Sequence, residues 1–148
     1  MEQGRIAALC IGALLSFVLC SAAAGAGKSE IKGAAILDHP CGKVAVKQMG
    51  LIHDGKMDEA NKLSTPEMQA QWKTMSAQDR TMMLGMMKAT SQTEAQYSND
   101  IKSNGVLVVD GPSATLTVKK SSKDKNGTNT STTTQQFKID GAQCLVSH

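Results

Sequence analysis

Three kinds of side chain in this sequence could do chemistry: thioethers, thiols, and a scatter of acid–base groups. Eight of the nine methionines fall between Met49 and Met87, and Met82, Met83, Met86 and Met87 crowd a turn and a half of one predicted helix. Thioethers are soft ligands that suit copper(I). They are also unbranched, adaptable filler, here in a chain with two Phe, one Trp and one Tyr. A third reading lies between these: four methionines so close cannot all face inward, and an exposed adaptable apolar patch marks a protein-binding surface. The third is preferred to metal, because no His or Cys accompanies the cluster.

The groups suited to proton transfer are Asp38, His39, His53, Asp54, Tyr97, Asp100, Asp110 and His148. No two of them share a predicted apolar face. His53 and Asp54 sit at a helix end beside Gly55, and His39-Pro40 precedes a helix, so a structural role is preferred for each. No GxSxG, HExxH, P-loop or EF-hand pattern is present. The expectation is a protein without catalytic residues and without a cofactor or metal.

The N-terminus reads as an address. Arg5 precedes an apolar run from Ile6 to Leu19, and small residues follow through Gly27, the layout of a secretory signal cleaved near Ala24 or Ala26. Cys20 keeps a lipoprotein reading open, with membrane attachment through an acylated cysteine, although Phe17, Val18 and Leu19 are not the small residues such signals favour. Either way the expected location is the periplasm. Removing Glu2 and Arg5 with the signal leaves the net charge at +3, too mild for a nucleic-acid binder. Cys10 and Cys20 fall within or beside the signal. The remaining pair, Cys41 and Cys144, is most simply a disulfide in an oxidising compartment. Thiolates holding a metal are the alternative, without histidines at ligand spacing.

The elements that would position these groups are helices first and strands after. Residues 25–40 show no sustained period and read as a flexible lead-in to a single domain over 41–148. Val44, Ala45, Met49, Leu51 and Ile52 form a helical stripe from Cys41 onward, with Lys43, Lys47 and Gln48 largely outside it. Asp54-Gly55 stops that helix, and Met57, Ala60 and Leu63 mark a short second one. Ser64-Thr65-Pro66-Glu67 reads as a capped start with proline in the first turn. Met68, Trp72 and Met75 continue it, and Ser76 with Asp79 opens a fourth helix running to about Ala89. The period then changes to two. Val106 to Val109, then Ala114, Leu116 and Val118, flank the turn Asp110-Gly111-Pro112. Lys119 to Thr132 has no period and reads as a long exposed hairpin tip, whose Lys123, Lys125 and Asn126 are candidate partner contacts along with the four clustered methionines. Thr133 to Ile139 and Ala142 to Val146 close a last hairpin through Asp140-Gly141. Helices followed by an antiparallel sheet predict an α+β domain.

Taken in this order, Gly-Lys-Met-Asp-Glu-Ala (55–60), Ser-Thr-Pro-Glu (64–67), Gly-Pro-Ser-Ala-Thr-Leu-Thr-Val (111–118) and the terminal Phe-Lys-Ile-Asp-Gly-Ala-Gln-Cys-Leu-Val (137–146) resemble the nuclear transport factor 2-like superfamily. The likeness is to its small secreted bacterial proteins and lipoproteins, over roughly His39 to Val146. The resemblance implies a cone, a curved antiparallel sheet wrapped round helices, sometimes with a pocket. Many relatives carry a tryptophan after the final turn where this chain has Cys144. Relatives include isomerase- and cyclase-like enzymes, which use an Asp or His base with a Tyr donor, and immunity proteins that neutralise toxins. The function expected is therefore a non-enzymatic envelope module that binds another protein, in specific form an immunity protein against a toxic effector. The alternatives are a small-molecule binder or isomerase/cyclase-like enzyme using the cone, and copper(I) binding by Met82, Met83, Met86 and Met87.

Overall fold

The structure, a computed structural model, describes residues 27–125 and 127–147. The segment expected to be a cleaved signal, Cys20, Asn126 and His148 lie outside the described residues. A strand, β1 (Ser29–Lys32), and a 3-10 turn (Gly33–Asp38) precede five helices: α1 (Pro40–His53), α2 (Met57–Asn61), α3 (Pro66–Thr74), α4 (Ala77–Thr90) and α5 (Glu94–Asn104). Four strands follow: β2 (Gly105–Asp110), β3 (Ser113–Asp124), β4 (Gly127–Asp140) and β5 (Gln143–Val146). The sheet is antiparallel in the order β1-β2-β3-β4-β5. The domain is α+β, about half helical, as the change of period predicts.

One face of the sheet carries the core. Leu107, Ala114, Leu116, Val118, Phe137, Cys144 and Val146 alternate along four strands with less buried neighbours and meet Ala45 of α1 with Tyr97 and Ile101 of α5. The Cys41–Cys144 disulfide is formed and joins the first turn of α1 to the last strand. Helix α1 ends where Gly55 takes φ +76°, which lets the Lys56 N–H donate to the Leu51 carbonyl at 2.8 Å.

Four expectations are corrected. Residues 28–40 are not a structureless lead-in: β1 pairs with β2, and Ile36 of the 3-10 turn is fully buried in the core. Gln48 lies inside the apolar stripe of α1, only 7% exposed. The stretch from Lys119 to Thr132 is an exposed end of a hairpin, as expected, but it is paired strand and not an irregular tip. Strands β3 and β4 keep one register from Ser113↔Lys138 to Asp124↔Gly127, and Lys119 to Lys123 and Gly127 to Thr132 are exposed on both faces, so no apolar alternation marks that outer part. Finally, Ser64 does not cap α3. Thr65 holds that position without a side-chain capping bond, while Ser64 is buried in a bridge to Val146. There Thr65 N–H donates to Val146 O and Val146 N–H to Leu63 O, both at 2.9 Å. The helix connection thus covers the outer edge of β5, which would otherwise present open backbone groups.

Helix α5 is an element that sequence period did not reveal. It buries only Tyr97 and Ile101, one turn apart, and starts with a capping box. Thr93 Oγ1 accepts from Gln96 N–H at 3.2 Å, and Thr93 N–H donates to Gln96 Oε1 at 3.1 Å.

Candidate functional site

Helical spacing sets one side of four helices toward a common space. Met49 and Ile52 face it from α1, Met57 and Asn61 from α2, Met68 and Trp72 from α3, and Met83 and Met87 from α4, with Met75 at the α3–α4 junction. Most of these pairs stand three or four residues apart, the interval that stacks side chains on one helix face. Helices α3 and α4 bury no residue completely, so they wall this space with half-buried side chains and do not enter the core. The result is an open cleft of about 350 Å³ whose wall carries six thioethers. That volume lies within the ~300–1,000 Å³ of small-molecule pockets.

The far wall, toward the sheet, is polar and connected. Gln48 Nε2 donates to the Ala60 carbonyl at 3.4 Å and to Ser64 Oγ at 3.2 Å, and Gln135 Nε2 of β4 donates to Gln48 Oε1 at 2.5 Å. Trp72 lines the cleft from α3 and is held in place. Its Nε1–H donates to Asp58 Oδ1 at 3.0 Å, and the Arg80 guanidinium carbon lies 5.9 Å from the ring centroid, a cation–π distance. The side chains lining the cleft are thioethers, aliphatics, amides, hydroxyls and one indole. Such a set solvates apolar surface and forms hydrogen bonds.

The four clustered methionines are divided. Met83 and Met87 line the cleft, whereas Met82 and Met86 point outward, 61% and 58% exposed. Lys123, in β3, and Lys125, in the turn after it, are exposed and line neither the cleft nor any hollow shared with these methionines. Among the described residues no group of three or more His, Cys, Asp or Glu could hold a metal ion, and no helix is long and apolar enough to cross a membrane.

The acid–base candidates are dispersed. His39 caps α1, its Nδ1 accepting from Cys41 N–H at 3.2 Å, and desolvation lowers its pKa, which keeps that nitrogen an acceptor. His53 ends α1 with Nδ1 sealed from solvent, and Asp38 and Asp54 are exposed. Asp110 lies 3.5 Å from Lys28. At the start of α3, Glu67 accepts from its own backbone N–H and from the Thr65 hydroxyl, and both hold its carboxyl below the usual range. Among the described candidates only Tyr97 and Asp100, one turn apart on α5, come together, around a hollow of about 210 Å³. Asp100 accepts from Gln92 Nε2 at 2.9 Å and lies 3.6 Å from Lys120 Nζ, so its charge is already engaged.

Tyr97 is 2% exposed, and its hydroxyl has no partner among the described residues. Burial, and secondarily the Asp100 charge, push its pKa up to about 12. The folded state then holds this proton more tightly than the unfolded chain, whose phenol titrates near ~10. Stability is unaffected below pH ~10, falls as pH rises through that value, and levels off above about 12, a loss of roughly 2 to 3 kcal/mol. The chain has one tyrosine, so its ultraviolet titration reads this group alone. Tyr97→Phe should remove this contribution to the alkaline decline and, by removing an unsatisfied hydroxyl, leave neutral-pH stability unchanged or raised by ~1 kcal/mol. A tyrosine titrating near its ordinary value in the folded protein would refute this.

No protein-family model, no curated protein and no solved structure matches this chain, so what the cleft can take follows from its own residues.

Proposed function

We propose that this protein is a binding module that holds an apolar small molecule in the methionine-lined cleft. The observation that carries the proposal is the cleft itself: about 350 Å³ of open space with six thioethers and an indole on its wall. Removing apolar ligand surface from water contributes about 25 cal/mol per Å². Thioether chains can repack around more than one ligand shape. A nuclear transport factor 2-like cone accords with helices gathered on one face of an antiparallel sheet and a cavity between the layers. An exported, envelope-located protein accords with a buried disulfide.

Trp72 is the sole tryptophan and lines the cleft, so its fluorescence reports entry directly. Titration with a medium-chain apolar probe should shift its emission and saturate. Met83→Glu places a carboxylate in the cleft wall from a half-buried position on α4. It should weaken binding by about tenfold or more while changing stability by less than ~1 kcal/mol. Saturable binding that Met83→Glu leaves intact would remove the ligand from this cleft.

A second reading rests on Met82 and Met86, large apolar side chains exposed on the outer face of α4. Such a patch suits a protein partner, in the specific form suggested by the family resemblance an effector toxin that an immunity protein would neutralise. A one-to-one complex with a purified effector encoded nearby, lost in Met82→Lys/Met86→Lys with Trp72 titration unchanged, would establish it. A complex insensitive to both changes would place the contact elsewhere.

A further inference from the structure

The polar wall of the cleft has a direction, set by one atom. The Ala60 carbonyl can only accept, so the Gln48 side-chain atom 3.4 Å from it must be the amide nitrogen. Gln48 therefore turns Oε1 toward Gln135, and Gln135 must answer with Nε2. Reversing either amide would set two donors or two acceptors against each other. The network ends at Gln135 Oε1, an acceptor sealed from solvent with no hydrogen-bond partner among the described residues, on a side chain that lines the cleft. A buried acceptor left in this way is costly, and a donor brought to it recovers that cost.

Charge and size narrow the occupant further. No Asp, Glu, Lys, Arg or His is among the residues lining the cleft. A charged head group entering it would lose its hydration without meeting a counter-ion, whereas a hydroxyl would lose little and gain Gln135. At about 350 Å³ the cleft stands near the small end of the ~300–1,000 Å³ of small-molecule pockets, which suits a medium-chain apolar molecule. Reaching the sealed Oε1 requires the cleft wall to adjust, and the six thioethers that share that wall are adaptable side chains.

Building on the binding proposal, we infer that the cleft takes an uncharged, medium-chain apolar molecule bearing one hydroxyl, which donates to Gln135 Oε1. The test compares dodecanol, its methyl ether and dodecanoate, the last under conditions where the carboxylate is ionised, by Trp72 fluorescence. The alcohol should bind about tenfold tighter than the ether, which has no donor, and dodecanoate should bind weakest. The double change Gln48→Leu/Gln135→Leu removes both amide acceptors from the cleft wall and should erase the difference between alcohol and ether, whereas Gln135→Leu alone frees Gln48 Oε1 to accept in its place and should retain part of it. Alcohol and ether binding alike to the wild-type protein, or dodecanoate binding tightest, would overturn this inference yet preserve an apolar cleft. Binding of none of the three would remove the cleft proposal as well.

Discussion

Changing Cys41 and Cys144 together to alanine is expected to lower stability by about 4 kcal/mol. The bond closes a loop with a sequence separation of 103 residues. The chain-entropy model assigns ~4.7 kcal/mol to a loop of about that length, as an upper figure. Both cysteines lie in the core, at 0% and 4% exposure, so alanine also removes packed sulfur atoms. A domain of ordinary stability holds only ~5–15 kcal/mol in total, and the loss would consume a large share of it. Urea unfolding of the wild type with and without reductant, alongside the double variant, measures it. The midpoint should fall in parallel in the reduced protein and the variant. A change below ~1 kcal/mol would mean that the unfolded chain is already restricted without the bond.

The disulfide was legible because only two cysteines lie beyond the first twenty residues, and the helix order because methionines and aliphatics recur at helical spacing from Val44 to Met87. Other features escaped for identifiable reasons. Helix α5 has only two buried side chains, too few to set a period, although Thr93 with Gln96 is a capping signal. The outer half of the β3–β4 hairpin is exposed on both faces, so its strands carry no alternation. The run of threonines from Thr128 to Thr134 and the Asn126-Gly127 pair were the signs available there. Residues 28–40 look too small and glycine-rich for an element, yet Ile36 reaches the core because the strand before it finds β2 more than seventy positions away. No local pattern encodes that pairing.

The cleft is a product of topology in the same sense. Each methionine considered alone is filler for a helix stripe, and only the folding of α1 through α4 against β4 and β5 leaves a space among them. Gln48 is the instructive residue. In sequence it lies beside Lys47 at the edge of the stripe and reads as solvated. In the fold it is buried, and its amide links α2, the α2–α3 connection and β4. A polar side chain at a helix-stripe margin can be surface or site, and the deciding partners, Ser64 and Gln135, are remote in sequence.

Gly42→Ala tests how closely the N-terminal segment is built into the domain. Helix propensity alone favours alanine over glycine inside α1 by up to ~1 kcal/mol. Packing opposes it. A Cβ on Gly42 would lie 1.8 Å from the Ile36 carbonyl oxygen and 2.7 Å from its carbonyl carbon, both backbone atoms of the 3-10 turn. Backbone cannot rotate away as a side chain can, so the turn must lift and draw Ile36, at 0% exposure, out of its contacts. Overpacking of this kind costs ~1–3 kcal/mol and more where backbone must move, and a net destabilisation of about 2–3 kcal/mol is expected. Gly85 in α4 is the internal control, since a Cβ there meets nothing within 4 Å. Gly85→Ala should therefore stabilise by up to ~1 kcal/mol through propensity. Paired urea denaturation of the two variants should give opposite signs. If Gly42→Ala proves as stable as the wild type, the 3-10 turn does not rest on α1 as tightly as these distances require.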